Sequence, residues 1–219
     1  MPNLSTLIFD WSGVISDDRK SVYEANMRLL DHYGKPLMTF EEWLPRTTLS
    51  AREFLANHGV TGEPDELFEQ YRQELDKVRA KGIHPIIYPD TITSLMRLLK
   101  KGKKLIVVSA HPENNLKREA KEYGIERIFK FFVGNSKDKT KGILEVCKRI
   151  EVNPSPLNVA YIGDTIYDII AAKKTRVRAV AVLTGVTSRA RLKKYKPYAI
   201  LKSVALFPSF LGITGSEKK

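Results

Sequence analysis

Short apolar runs rich in β-branched residues recur along this chain. They are Leu7-Ile8-Phe9, Leu105-Ile106-Val107-Val108, Val159-Ala160-Tyr161-Ile162 and Ala179-Val180-Ala181-Val182-Leu183, with Phe131-Phe132-Val133 as a weaker fifth. None alternates between polar and apolar positions, so each reads as a strand covered on both faces. The intervening segments carry a helical period: Ile92, Leu95, Met96 and Leu99 make one stripe, Leu116, Ala120 and Tyr123 a second, Ile143, Cys147 and Ile150 a third. Strands alternating with helices predict an α/β fold, a doubly wound, Rossmann-like parallel sheet.

The first strand does not lead directly to the second. About 90 residues separate them, too many for one crossover. That stretch is itself helical in pattern: Val22, Ala25, Leu29, Leu30 and Tyr33 share one face, and Phe68, Tyr71, Leu75 and Val78 share another. Glu63-Pro64-Asp65 reads as the start of the second of these helices. The pattern therefore predicts a core domain of residues 1–17 plus 83–219 and a small helical domain of residues 18–82 inserted after the first strand. Gly13 and Gly82-Ile83-His84-Pro85 are the expected hinges.

Composition adds bounds. At 219 residues and 42% hydrophobic, the chain can bury a sizeable core. Its one cysteine, Cys147, excludes an internal disulfide and suits an intracellular setting. The N-terminus lacks the basic start and apolar run of a secretory signal, and no apolar run approaches the ~20 residues that span a bilayer. The expectation is a cytoplasmic protein with no membrane partner. Lys and Arg number 37 against 25 Asp and Glu, a net charge of +12, and no acidic residue lies between Asp168 and Glu217. Such a balance suits anionic ligands, either a small phosphorylated substrate or nucleic acid. There is no recognisable nucleic-acid module, and only Tyr195 and Tyr198 interleave with the basic run. A solvated lysine-rich surface explains it as well.

Ligands of an open parallel sheet bind outside the carboxyl ends of its strands. Asp10 follows the first strand, Ser109 the second and Asp164 the third, with Asp168 one helical turn beyond. An Asp after a strand is more often a helix cap than a catalyst; convergence from three strands is what makes these residues candidates. Clustered carboxylates repel unless a cation sits among them. With oxygen ligands and no Cys/His cluster, the expected cation is Mg²⁺. His111 closely follows Ser109 and is a candidate substrate contact. The four histidines show no metal-ligand spacing.

These segments resemble the four motifs of the haloacid dehalogenase superfamily. Asp10-Trp11-Ser12-Gly13-Val14 is similar to its Asp-x-Asp-Gly-Thr/Val segment, Val107-Val108-Ser109 to its second motif, and Gly163-Asp164-Thr165-Ile166-Tyr167-Asp168 to its Gly-Asp-x-x-x-Asp. The resemblance spans nearly the whole chain, and residues 18–82 fall where the family's first-type cap lies. It implies a hydrolase acting on a small phosphate monoester, phosphoglycolate among others. Asp10 would be the nucleophile that forms an aspartyl-phosphate. Mg²⁺ would be held by Asp10, the Ser12 carbonyl and Asp164, with Asp168 behind, and Ser109 would bind a phosphoryl oxygen. A lysine would complete the set. Lys139, 25 residues before Asp164, is favoured by spacing, while Lys141 stands in a Lys141-Gly142 pair also seen in the family.

The resemblance breaks at Ser12, where the common phosphatases carry the Asp that protonates the leaving group and later activates water. A hydroxyl is a poor acid near neutral pH. The expectation is a phosphatase whose activity falls as leaving-group basicity rises, with Asp17 or Asp18 as candidate substitutes for the missing acid. Asp10-Trp11-Ser12-Gly13 is also similar to the first motif of phosphonoacetaldehyde hydrolase. That enzyme needs an imine-forming cap lysine, and the comparable stretch, Leu44-Pro45-Arg46, carries an arginine. A metal-free haloacid dehalogenase is disfavoured by Asp164 and Asp168. A catalytically weak binder of anions or nucleic acid is the reading from another class.

Overall fold

The computed structural model describes residues 4–47 and 51–213. In chain order its elements are β1 (Thr6–Phe9), β2 (Ser16–Asp17), α1 (Arg19–His32), α2 (Phe40–Trp43), α3 (Ala51–Asn57), α4 (Pro64–Ala80), β3 (Ile86–Ile87), α5 (Thr91–Lys100), β4 (Lys104–Val108), α6 (Glu113–Glu122), β5 (Phe132–Val133), α7 (Lys139–Arg149), β6 (Val159–Gly163), α8 (Ile166–Lys174), β7 (Arg178–Val182), α9 (Arg189–Lys194), β8 (Ala199–Leu201) and α10 (Phe207–Phe210). They divide into two compact units, Met1–Ser16 with Ile87–Lys219, and Asp17–Ile86.

In the larger unit six strands form one parallel sheet in the order β5-β4-β1-β6-β7-β8. The chain steps outward from β1 through β4 to β5. It then returns to the other side of β1 with β6 and steps outward again. This reversal opens a crevice at the carboxyl ends of the strands around β1. Successive strand residues face opposite ways. Leu7, Phe9, Leu105, Val107, Ala160 and Ile162 meet Leu95 and Leu98 of α5, Leu116 and Ala120 of α6, and Phe207. Ile8, Ile106, Val108, Val159 and Tyr161 meet Ile143, Val146 and Cys147 of α7, Ile169 and Ala172 of α8, and Leu192. Both faces are therefore dry, which is why the strands read as unbroken apolar runs. Each fully buried Leu, Ile or Phe contributes roughly 1.5–3 kcal/mol.

Three details differ from expectation. The sixth strand, β8, has no counterpart among the predicted runs; it is three residues long, partly exposed and set inside the basic stretch. Helix α5 is rotated from its predicted stripe. It buries Thr91, Ser94, Leu95 and Leu98, while Ile92, Met96 and Leu99 are about 40% exposed. The small Ser94 lies on the inner side, where its hydroxyl donates to the Ala205 carbonyl at 3.2 Å.

The smaller unit is helical. Leu29 and Leu30 of α1, Trp43, Phe54, Leu55, Val60 and Leu67 form its core. Helix α4 starts with Pro64 in its first turn, where a missing N–H costs nothing. The third difference lies in this helix: Leu67, not the predicted Phe68, enters the core, and Phe68 is 61% exposed. Strands β2 and β3 form a separate two-stranded sheet. No described helix is long and apolar enough to cross a membrane.

Candidate active site

The parallel register sets the site. Phe9 is level with Val107 on one side and Ile162 on the other. Asp10, Ser109 and Asp164 therefore leave three adjacent strands within about a residue of the same height. Asp10 continues the ladder for one bond, its N–H donating to the Ile162 carbonyl at 2.8 Å. Its carboxylate then turns back: Oδ1 accepts from the Trp11 N–H at 2.8 Å and from Lys139 Nζ at 2.6 Å.

Lys139 is delivered by a helix start. Asp138 caps α7, its carboxylate accepting from the N–H groups of Thr140 and Lys141. That places Lys139 at the first helical position. Besides Asp10, its ammonium donates to the Val108 carbonyl at 3.2 Å. Lys137 and Lys141 are exposed. Of the three lysines, Lys139 is the one bonded to Asp10.

Asp164 follows β6 directly and is 4% exposed. It lies between two glycines. A Cβ built on Gly13 would stand 2.6 Å from its Cγ, and one built on Gly185 only 1.8 Å from its Oδ2. The Val186 N–H donates to that Oδ2 at 3.1 Å. The Thr184 hydroxyl, in the same loop after β7, donates to the Gly13 carbonyl at 2.6 Å. Gly13 also has φ +73°, a conformation that side-chain-bearing residues rarely adopt.

Asp168 faces inward from the first turn of α8 and is 3% exposed. Thr165 and Asp168 form a capping box in which Asp168 Oδ2 accepts from the Thr165 N–H at 2.9 Å and hydroxyl at 2.6 Å. The returning carboxyl fills the space where a Cβ on Gly163 would be, a steric reason for the glycine of Gly-Asp-x-x-x-Asp. Burial, then the nearby Asp10 charge, pushes the Asp168 carboxyl up to about 6, while Lys139 and Thr165 pull the other way. Burial and the same carboxylates also push the Tyr161 hydroxyl well above its ordinary value.

Asp10, Asp164 and Asp168 each offer an oxygen within 4.8 Å of the others. Three carboxylates against one ammonium leave a negative, largely buried cluster. An all-oxygen donor set of this kind suits a hard divalent cation such as Mg²⁺. Ser109 is 1% exposed, and its Oγ accepts the His111 N–H at 3.2 Å. The Ser12 hydroxyl lies 3.0 Å from His111 Nε2. The loop after β1 is clamped from α6: Glu119 Oε1 accepts from Trp11 Nε1 at 2.9 Å, from Tyr123 OH at 2.9 Å and from the Ser16 hydroxyl. The Trp11 ring stacks on Tyr123.

Sequence reasoning did not find Glu119 or the Thr184-Gly185-Val186 loop, and left His111 as a substrate-contact candidate. Glu119 looks like any acidic residue on a charged helix, and a Gly after a strand is an ordinary turn signal. His111 carried one usable clue. It and Ser12 each lie two residues past the end-of-strand polar residue on neighbouring parallel strands. Two members of the basic run bond within the larger unit: Arg178 stacks 3.9 Å over Tyr198, and Lys173 Nζ donates to the Tyr195 carbonyl at 2.6 Å.

Known proteins share this arrangement of chain. A phosphoglycolate phosphatase of Psychrobacter arcticus is 23% identical over 205 residues, covering 87% of this chain and 88% of the relative. A pyrophosphatase of Anoxybacillus flavithermus is 22% identical over 218 residues, covering 97% and 99%. The solved structure of a haloacid dehalogenase-like family hydrolase from Streptococcus pneumoniae matches with a TM-score of 0.79 at 20% identity, over 95% of this chain and 99% of that one. The profile of the haloacid dehalogenase-like hydrolases matches residues 7–182, and this chain belongs to that family.

Proposed function

We propose that the protein is a Mg²⁺-dependent phosphohydrolase that acts on a small phosphate monoester through an aspartyl-phosphate on Asp10. One observation carries the reading: the Asp10 carboxylate is fixed between the Lys139 ammonium at 2.6 Å and the buried Asp164 and Asp168. The hydrolase family and the phosphatase and pyrophosphatase names of the relatives support it.

Asp10, the Ser12 backbone carbonyl and Asp164 would hold the cation, with Asp168 behind them. Bound there, Mg²⁺ supplies positive charge that offsets the repulsion between carboxylate and phosphate. Asp10 attacks phosphorus, splitting one displacement into two. Lys139 binds a phosphoryl oxygen and stabilises charge that builds on it in the transition state. Ser109 binds a second oxygen. Water then cleaves the acyl-phosphate and restores Asp10. Residues 18–82 form the proposed cap domain.

The test is a phosphate-release screen over phosphate monoesters with and without Mg²⁺, with Asp10→Asn as control. Release should require the metal and fall by at least about 10³-fold in the variant. Release that survives Asp10→Asn would refute the mechanism.

A further inference from the structure

All six strands of the large sheet run parallel, so its two edges differ in kind. Asp10, Ser109 and Asp164 leave the carboxyl edge. The amino edge receives the ends of α5, α6, α7, α8 and α9, because each of these helices returns the chain to the start of the next strand. Counted from the last turn of each helix to the first residue of the strand after it, these five connections carry 18 Lys and Arg against 4 Asp and Glu, in a chain with 37 against 25. The whole +12 excess therefore lies at the edge away from the carboxylate cluster. Cations near helix ends complement the helix dipole, and that accounts for some of them. Arg149 at the end of α7, for one, also pairs with Glu145.

One corner of this edge goes further. The connection from α8 to β7 carries Lys173, Lys174, Arg176 and Arg178; the one from α9 to β8 carries Lys193, Lys194 and Lys196 close together. Neither contains an acidic residue. β7 and β8 are paired neighbours, and the two connections touch. Lys173 Nζ donates to the Tyr195 carbonyl at 2.6 Å, the Tyr198 N–H donates to the Ala179 carbonyl at 2.8 Å, and the Arg178 guanidinium lies 3.9 Å over the Tyr198 ring. Among the described residues none of these seven cations pairs with a carboxylate. Two of them stand where glycine is the usual choice. The residue just past a helix end often takes the left-handed conformation. After α5 and α6 that residue is Gly102 or Gly124, each at φ +70°; after α8 and α9 it is Arg176 at φ +58° and Lys196 at φ +49°. A Cβ is disfavoured there, and the dipoles of α8 and α9 already have lysines in their last turns.

Seven like charges in one corner repel one another and favour a partner that brings closely spaced negative charges. Tyr195 and Tyr198 lie among them, 38% and 54% exposed. Aromatic rings set between cations suit a single strand, whose phosphates meet the cations and whose unpaired bases stack on the rings. We infer that this corner of the amino edge, built by the α8–β7 and α9–β8 connections, is a docking surface for single-stranded nucleic acid. It lies on the opposite edge of the sheet from Asp10, and it stands or falls independently of the function proposed for that site. Five-residue strands such as β6 and β7 separate the two edges by roughly 15 Å at ~3.3 Å per residue.

The experiment is fluorescence anisotropy of the full-length protein with a labelled oligoribonucleotide of about 20 nucleotides that lacks terminal phosphates, so that it offers no monoester to the Asp10 site. Plotted against log[salt], log Kd should rise with a slope of about 3–5, at ~0.7 per phosphate neutralised on a single strand. The double variant Arg176→Gly/Lys196→Gly should lower that slope by about 1.4 and weaken binding at least about tenfold at low salt. Its Tm should not fall by more than about 2 °C, because glycine suits both backbone conformations. Lys137→Glu removes the same two units of net charge at an exposed position before α7, on the carboxyl edge, and should leave Kd within about twofold. Tyr195→Ala should weaken binding about fivefold or more with the salt slope unchanged. The inference is overturned by unchanged anisotropy up to about 100 µM protein at low salt, by equal losses in the double variant and Lys137→Glu, or by a Tyr195→Ala variant that binds as the wild type does. Capture on phosphatidylserine vesicles without oligonucleotide binding also overturns it, in favour of a lipid surface.

Discussion

Gly185→Ala tests whether the loop after β7 holds the Asp164 carboxylate. The added Cβ would lie 1.8 Å from Asp164 Oδ2, 2.2 Å from Cγ and 2.5 Å from Cβ. No pair of atoms tolerates such distances, so one side must move. Gly185 is not among the positive-φ residues, so the substitution acts by bulk and not by backbone strain. Asp164 cannot simply retreat, because a Cβ on Gly13 would already crowd its carboxyl at 2.6–2.9 Å. Either the carboxylate rotates or the loop lifts. Both break the Val186 N–H bond to Oδ2, and the second also strains the Thr184 bond to Gly13. Loss of a hydrogen bond to a charged group costs about 1.5–3 kcal/mol, and residual crowding about 1–3 kcal/mol. In a chain of this size each kcal/mol lowers Tm by roughly 2–4 °C, so a fall of about 5–25 °C is expected. A misdirected carboxylate should also shift the Mg²⁺ midpoint for activity and for thermal protection upward by about 10–100-fold. A variant with Tm within about 2 °C of wild type and a Mg²⁺ midpoint within about threefold would show that this loop does not hold Asp164, and would refute the reasoning.

Two further substitutions probe neighbouring parts of the site. Lys139→Ala should lower kcat for phosphate release by about 10²–10³-fold, whereas Lys141→Ala, at an exposed position, should stay within about twofold; steady-state kinetics on one aryl phosphate separates them, and equal losses would contradict the Asp10–Lys139 pairing. Glu119→Ala should remove the acceptor that the Trp11, Tyr123 and Ser16 donors share and destabilise the fold by about 2–4 kcal/mol. Chemical denaturation measures that loss, and Glu119→Gln, which retains an acceptor oxygen, should recover part of it.

The strands and the carboxyl-end polar residues were legible because each is a local signal. An unbroken run such as Val159-Ala160-Tyr161-Ile162 can be buried on both sides only in a covered sheet, and Gly163-Asp164…Asp168 contains its own capping box. The misses have equally local causes. Helix α5 offers two overlapping apolar faces, and the one that packs carries Ser94, whose hydroxyl donates to the Ala205 carbonyl. In α4, Leu67 and Phe68 are adjacent, so a small rotation decides which is buried. Strand β8 is short and sits on the edge of the sheet, and half-buried edge strands carry the weakest sequence pattern.

By itself the sequence determined a covered parallel α/β sheet with a helical insertion, and it put Asp10, Ser109 and Asp164 at strand ends. Strand-end position is a property of a few consecutive residues. Spacing favoured Lys139 over Lys141, but only the tertiary structure showed Lys139 bonded to Asp10, Ser12 meeting His111, and Gly13 and Gly185 flanking Asp164. These are contacts between residues about 20 to 150 positions apart, and they depend on strand register and helix start to within one residue. A shift of one position turns a strand side chain to the opposite face or a helical one by about 100°, so no local pattern can specify them.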